Sequence, residues 1–194
     1  MTAFMTVYFW LLRHPLFPVT VVPLTGLDRL ISFQPWSLVL YASLWLYLSI
    51  VPLLLYTRSE WIPYLSAITL LSLIGFGIFF FWPTAIPRPD IDWTQYPAID
   101  FLKSVDASGN ACPSLHVAFA VMNVIWLHRL LKELGTPVIL RVLNGCWCAG
   151  IVYSTLATKQ HVAIDVEMGL LLGSVVAIAN LLFLSDRAFS AELK

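Results

Sequence analysis

The sequence predicts an all-α protein, a polytopic transmembrane helical bundle with five spans and a candidate sixth at the N-terminus. Hydrophobic residues make up 59% of the 194-residue chain and charged residues only 11%, whereas an ordinary soluble domain is about a quarter charged. Only helices and closed barrels satisfy their own backbone in a bilayer. The apolar runs lack the alternation of polar and apolar positions that barrel strands require, so helices are expected.

Five runs are predicted to cross the membrane, which takes about 20 apolar residues, with about 17 as a lower limit. They cover residues 37–56, 61–82, 113–127, 142–158 and 168–185. Tryptophan and tyrosine side chains at the ends of these runs, such as Trp36 and Tyr56, are typical of membrane interfaces.

Residues 4–24 allow two interpretations. Phe4 to Leu12 is apolar, but an Arg-His-Pro sequence follows, and the apolar stretch after it contains prolines. A cleaved signal peptide carries its positive charge before the apolar stretch, whereas Arg13 comes after it here. The segment is therefore either a kinked sixth span or a stretch that lies in the membrane interface.

The chain is expected to form a single integral-membrane domain over residues 1–194, without internal repeats or low-complexity segments. Its formal net charge is zero, which gives no basic patch for nucleic acid. One connection is unusually long, residues 83–112, and it includes Arg88, Lys103 and Asp106. Loops of this length are usually functional or disordered.

Helix parity places three polar clusters on one face of the membrane. The run that starts near Pro113 crosses, a short turn follows, and the next run returns, so residues 153–165 emerge on the side of the 83–112 connection. The clusters are Arg88; Ser114 with His116; and Lys159, His161 and Asp165. More cations collect on the opposite side: Arg58, Arg129, Lys132, Arg141, Arg187 and Lys194. The positive-inside rule then predicts a periplasmic or lumenal site, in a bacterial inner membrane or an endomembrane.

His161 and Asp165 suit nucleophilic catalysis. They are four residues apart, so they share a face if they lie on a helix. A carboxylate that accepts from one imidazole nitrogen fixes the tautomer and leaves the other nitrogen as a nucleophile or base. An interfacial capping pair would explain the same two residues, although ionisable groups at membrane depth are functional candidates by default.

The other two clusters suit an anion. Pro113 fits the first turn of a helix, and the N–H groups at such a start favour negative charge. Ser114 adds a hydroxyl donor and His116 a proton donor. Arg88, between two prolines, offers a planar fork that matches phosphate oxygens. Together the clusters indicate a phosphoryl-transfer site, where positioning and charge stabilisation do most of the work and no metal or other cofactor is needed.

These residues resemble the three-part signature of the type 2 phosphatidic acid phosphatase (PAP2) superfamily, KxxxxxxRP, PSGH and SRxxxxxHxxxD. The matching parts are Arg-Pro at 88–89, Pro-Ser-Leu-His at 113–116, and Ser-Thr-x5-His-x3-Asp at 154–165, with active-site parts over 81–90, 112–116 and 154–165. The resemblance implies that His161 attacks phosphorus, Asp165 orients it and His116 protonates the leaving group. It also implies that Arg88 and Ser114 hold the phosphoryl oxygens, and its six-helix core favours an N-terminal span.

Three positions depart from that signature: Phe81 stands for the lysine, Leu115 for the glycine and Thr155 for the arginine. Leu115 would crowd the pocket. The other two changes remove two cations, and Lys159 would replace one of them in binding the substrate. A snorkelling lysine is the alternative for Lys159. The departures resemble the inositol-phosphorylceramide-synthase-like branch, whose members pass the phospho-group to an alcohol. Hydrolysis of a phospholipid or polyprenyl phosphate and transfer to an alcohol therefore both stay open.

Three other classes of protein would use some of the same residues. A serine intramembrane protease would use Ser114 with His161 but leave Arg88 and Asp165 without a role. A metal centre would use His116, His161 and Asp165, which are the ligand types of a two-histidine, one-carboxylate site. A catalytically inactive lipid-binding protein would explain the missing cations.

Overall fold

The computed structural model describes residues 2–105 and 110–192, and in this part of the chain nearly all regular structure is helical. Two of the charged residues named above, Asp106 and Lys194, lie outside the described residues. The α-helices are α1 (Thr2–Arg13), α2 (Gly26–Leu30), α3 (Leu38–Ala42), α4 (Leu44–Leu54), α5 (Arg58–Phe81), α6 (Pro97–Val105), α7 (Leu115–Glu133), α8 (Val138–Ala157) and α9 (Ala163–Glu192). Two short strands, β1 (Thr20–Val21) and β2 (Thr84–Ala85), complete the fold with 3-10 turns at Pro35–Ser37 and Trp93–Gln95.

The predicted all-α class is confirmed, and within the described residues four segments are long and apolar enough to cross a membrane. They are Pro35–Leu54, Arg58–Phe81, Val138–Ala157 and Ala163–Phe183. Each coincides with one of the predicted spans. The remaining predicted span, 113–127, falls within α7, which is not among the four, so a total of five or six spans stays a prediction.

The N-terminal segment contains one short helix. α1 ends at Arg13 after 12 residues, and irregular backbone with a bend at 16–17 follows as far as β1. This explains the kink that the Arg-His-Pro sequence suggests, because proline disfavours helix in the residue before it. α1 packs against the bundle through Phe4, whose ring lies 5.0 Å from that of Phe76 and 5.7 Å from that of Phe119. Whether residues 4–24 cross the membrane stays a prediction.

Helix α7 lies at the centre of the bundle and contacts α4, α5, α8 and α9. Its closest neighbour is α9, which carries Gly169 and Gly173 in a Gly-x-x-x-Gly pattern. A Cβ atom added at these glycines would lie 2.6 Å from the Ser114 carbonyl oxygen and 2.3 Å from that of Ala118. Small residues at this spacing let membrane helices approach backbone to backbone, and here they bring the start of α9 against the start of α7.

The long 83–112 connection is structured where it is described. β2 pairs in parallel with β1, with Thr20 opposite Thr84 and Val21 opposite Ala85. Thr84 also bridges to Asn110, and its hydroxyl accepts a hydrogen bond of 2.7 Å from the Cys112 amide. β2 therefore joins the segment before α2, which contains β1, to the segment before α7, which contains Asn110 and Cys112. Arg88 follows β2 by three positions.

Candidate active site

The starts of α7 and α9 lie side by side and bring two of the polar clusters together. The Ser114 amide donates a 3.0 Å hydrogen bond to the backbone carbonyl of Asp165. Ser114 is the N-cap of α7, and its buried hydroxyl accepts from the Val117 amide at 3.3 Å. The hydroxyl that the sequence analysis assigned to phosphate binding thus caps a helix in this structure.

His161 and Asp165 form a close pair. The Nδ1 atom of His161 lies 3.4 Å from Oδ2 of Asp165, and the two side chains are 12% and 0% exposed. Because α9 begins at Ala163, the pair does not lie on one helical face as the spacing suggested; the turn that enters α9 brings it together. Oδ2 also accepts from the Val162 amide at 3.2 Å. With Nδ1 facing the carboxylate, Nε2 is the nitrogen left for chemistry.

A cavity of about 100 Å³ opens beside His161 and is lined by charged side chains from three segments: Asp28, Arg88 and Lys159. Its apolar wall is formed by Leu24, Ile86, Pro87, Pro89 and Val162. Arg88 is exposed between its two prolines, and among the described residues its guanidinium has no hydrogen-bond or ion-pair partner. The lining combines the Asp28 carboxylate with two cations and an imidazole, and this excess of positive charge suits an anionic ligand.

His116 lies deeper in the protein. Its ring stacks on Tyr41 with a centroid distance of 4.0 Å and an interplanar angle of 14°. It does not line the cavity beside His161. Its Nε2 atom is buried and has no hydrogen-bond partner within the described part of the chain. Buried polar groups are almost always paired, so this atom is a candidate to exchange a proton with a substrate.

The ammonium of Lys159 is held by backbone carbonyls. It donates to the Asp28 carbonyl oxygen at 3.0 Å and also to that of Ile31. The residue itself has φ 55°, a left-handed conformation that costs a non-glycine residue about 1–2 kcal/mol. Two of its three N–H donors are thus engaged by the protein, although the residue still lines the cavity. Substrate binding by Lys159 therefore stays a prediction.

The three positions that depart from the family signature do not line this cavity. Phe81 is 70% exposed and packs against the rings of Phe17 and Phe80. Thr155 is buried, with its hydroxyl donating to the Val152 carbonyl at 2.8 Å. Leu115 does not crowd the pocket as expected, because its side chain fills the space left by Gly75 on α5.

Sequence reasoning missed Asp28, which comes from a segment far from the signature. Its carboxylate accepts from the Thr25 amide at 2.7 Å and from the Thr25 hydroxyl at 2.8 Å, and its Oδ1 accepts from the Ala163 amide at 2.8 Å. The Thr-Gly-Leu-Asp sequence at 25–28 has the spacing of a helix capping box, which could have predicted α2 but not its contact with α9.

A second cavity, of about 400 Å³, lies next to the site and is lined only by apolar side chains and Cys112. Its lining residues are Ile78, Trp82, Cys112, Pro113, Met168, Leu171, Leu172 and Val175. Cys112 and Pro113 directly precede Ser114, and Met168 follows Asp165 by three residues, so the apolar and charged cavities flank the same two helix starts.

The three-ligand arrangement that a metal centre needs is not assembled in residues 2–105 and 110–192. No group of three or more histidine, cysteine, aspartate or glutamate side chains there has the geometry to hold a metal ion.

Comparison with protein families gives a match over most of the chain. The family model described as the PAP2 superfamily matches residues 60–188, which is about two thirds of the chain and includes every predicted site residue. The match names no branch, so the resemblance to inositol-phosphorylceramide synthases is not confirmed. Neither a curated protein nor a solved structure matches the chain.

Proposed function

Because the chain belongs to the PAP2 superfamily, whose members are phosphatases or phosphotransferases, we propose that it is a membrane lipid phosphatase. It transfers a phosphoryl group from a lipid phosphate ester to water through a phosphohistidine. The observation that carries this proposal is the His161–Asp165 pair beside a cavity that Arg88 also lines. The apolar cavity beside Ser114 supports a substrate with a hydrocarbon chain.

In the first step, Nε2 of His161 attacks phosphorus and the bond from phosphorus to the lipid oxygen breaks. Asp165 holds the imidazole in the tautomer with a bare Nε2 and stabilises the positive charge that develops on the ring. Arg88 binds the phosphoryl oxygens, with Lys159 as a second cation. His116 gives its proton to the departing alkoxide, which leaves as an alcohol.

In the second step, water attacks the phosphohistidine and His116 takes back a proton from it. The phosphorus–nitrogen bond breaks, phosphate leaves, and His161 is again neutral and unmodified. Positioning and charge stabilisation supply the catalysis, and no metal ion takes part. By the distribution of lysine and arginine, the site faces the periplasm or the lumen.

A phosphotransferase is the second candidate, and the lost cations favour it. The positions of the family lysine and arginine hold Phe81 and Thr155, and neither lines the cavity. A phosphomonoester carries about −1.5 to −2 charges at pH 7, whereas a diester has only one ionisable oxygen and carries a single negative charge. A site with fewer cations suits the diester, whose phospho-headgroup His161 would pass to an alcohol.

Labelled lipids distinguish these outcomes. The purified protein is incubated with phosphatidate, a polyprenyl phosphate and an inositol phospholipid, with and without an alcohol acceptor and with a chelator present. Free phosphate as the labelled product supports the phosphatase, and a new labelled lipid that needs the acceptor supports the transferase.

The phosphohistidine is tested in the same assay. We expect His161→Ala to abolish turnover and the acid-labile phosphoenzyme, while His128→Ala, at an exposed histidine near the far end of α7, leaves both intact. Vanadate, a mimic of pentavalent phosphorus, should inhibit. Full turnover by His161→Ala would refute the proposed mechanism.

A further inference from the structure

Residues 25–34, which precede the first apolar span and are called here the 25–34 brace, hold the connection between α8 and α9. This connection carries Lys159 and His161. Five backbone or side-chain groups of the brace bond to this connection, to α8 or to the first residue of α9. The bonds are Ala163 amide to Asp28 Oδ1 (2.8 Å), Lys159 ammonium to the Asp28 and Ile31 carbonyls, Gln34 amide to the Ala157 carbonyl (2.8 Å), and Gln34 Nε2 to the Tyr153 hydroxyl (2.7 Å).

Asp28 is the central group of the brace because one carboxylate serves two helices. Its Oδ2 accepts from the amide and hydroxyl of Thr25 and closes the capping box of α2. Its Oδ1 accepts from Ala163, the first residue of α9, whose amide has no partner within its own helix. A negative charge at a helix N-terminus is also favourable. Asp28 is buried, so water competes little for these bonds.

The brace also fixes the reversal of the chain between the two helices. Lys159 stands in the left-handed region, which a lysine does not occupy without support. Its ammonium reaches across to the carbonyl of Asp28 itself. Asp28 therefore accepts from Ala163 through its side chain and from Lys159 through its backbone, and His161 lies between these two residues.

We propose that Asp28 is a positioning residue for the phosphoryl transfer. By fixing the start of α9 and the turn before it, Asp28 sets the distance between the His161 imidazole and the Asp165 carboxylate and directs Nε2 toward the cavity that Arg88 lines. It acts from outside residues 60–188, the part of the chain that the superfamily model matches. This inference rests on the proposed function for its catalytic consequence.

The test compares Asp28→Ala and Asp28→Asn with a matched control. Glu60→Ala breaks a capping box of the same kind, in which Glu60 accepts from the Thr57 amide and hydroxyl at 2.9 Å each. That box lies at the opposite end of α5 from the site. We expect Asp28→Ala to lower kcat on the order of 100-fold, the effect of a misplacement of about 1 Å in an active site, with KM unchanged. Glu60→Ala should keep the wild-type kcat.

Asp28→Asn serves as the conservative variant and as the safeguard against misfolding. Its amide oxygen still accepts from Ala163, but its NH₂ group cannot accept from the Thr25 amide. We expect a smaller loss of kcat than for alanine. If Asp28→Ala does not fold, the asparagine variant decides the question: kcat should fall, by less than the roughly 100-fold expected for alanine, with KM unchanged, and a wild-type kcat would overturn the inference.

Hydrogen–deuterium exchange gives a readout that does not need activity. Peptides covering residues 158–166 should exchange faster in Asp28→Ala than in the wild type, and not in Glu60→Ala. A folded Asp28→Ala variant with wild-type kcat, a change in KM alone, or unchanged exchange over 158–166 would overturn the inference. Absence of turnover in the wild type on every lipid would instead refute the proposed function, and the exchange result would still decide whether Asp28 holds this connection.

Discussion

Replacing Gly169 with alanine should separate the starts of α7 and α9 and thereby disturb the candidate site. The new Cβ would lie 2.6 Å from the Ser114 carbonyl oxygen and 3.0 Å from the Val117 Cβ. Both neighbours belong to the first turn of α7 or its cap, so a side-chain rotation cannot relieve the contact with the carbonyl. The helices themselves must move.

The size of the movement follows from the contact distance. Ordinary van der Waals contact begins near 3.4 Å, so the carbonyl and the Cβ must part by about 0.8 Å. Ser114 and Asp165 are joined by a 3.0 Å backbone hydrogen bond at this point, which such a shift would stretch beyond normal length. Overpacking of this kind costs about 1–3 kcal/mol, and a displacement near 1 Å lowers turnover on the order of 100-fold.

Gly145→Ala is the matched control, because Gly145 is an exposed glycine on α8 and an added Cβ there meets nothing within 4 Å. Alanine at this position should stabilise the helix by about 1 kcal/mol relative to glycine. We expect Gly169→Ala to lower both the thermal midpoint and kcat in lipid-phosphate turnover, and Gly145→Ala to lower neither. Wild-type kcat and thermal midpoint in Gly169→Ala would refute the close approach of the two helices.

Three further predictions concern the polar side chains. Asp165→Asn should lower kcat about 10²- to 10⁴-fold, as the loss of an orienting group does in other sites. Rapid-quench measurement should show slower formation of the phosphoenzyme, and an unchanged rate would show that Asp165 takes no part in the mechanism. His116→Ala should form the phosphoenzyme from an aryl phosphate, whose leaving group needs no proton, but not from a lipid phosphate; equal labelling by both would contradict its role as the acid. Lys159→Ala should raise KM for anionic lipids and lower kcat, and unchanged steady-state kinetics would show that Lys159 does not replace a lost cation.

The four helices that are long and apolar enough to span a membrane were predictable because each contains a long uncharged run. α7 was harder to delimit, because its central position lets it carry polar side chains among its buried ones. Asn123, for example, is fully buried and donates to the Tyr47 carbonyl at 2.9 Å. The Gly-x-x-x-Gly pattern at 169–173 was legible in the sequence, but which helix it packs against depends on the fold.

The candidate site was predictable as far as local spacing carries information. The four-residue separation of His161 and Asp165 correctly suggested proximity, although the turn before α9 and not a helical face provides it. The partners contributed by remote segments were not predictable. Tyr41 stacks on His116, and Asp28 reaches Ala163 across 135 positions of sequence. A single sequence contains no signal for such pairings, because they arise from tertiary packing.

The buried amides of α7 and α8 bear on how the chain enters the bilayer during synthesis. Asn144 of α8 donates to the Val124 carbonyl of α7 at 3.0 Å and accepts from the Tyr47 hydroxyl. Only residues 134–137 separate the two helices. A helix leaving the translocon alone would expose its asparagine to hydrocarbon, which is unfavourable. If α7 spans the membrane as the sequence predicts, entry of α7 and α8 together, as a hairpin after α4 is in place, would let Asn144 and Asn123 reach their acceptors on α7 and α4.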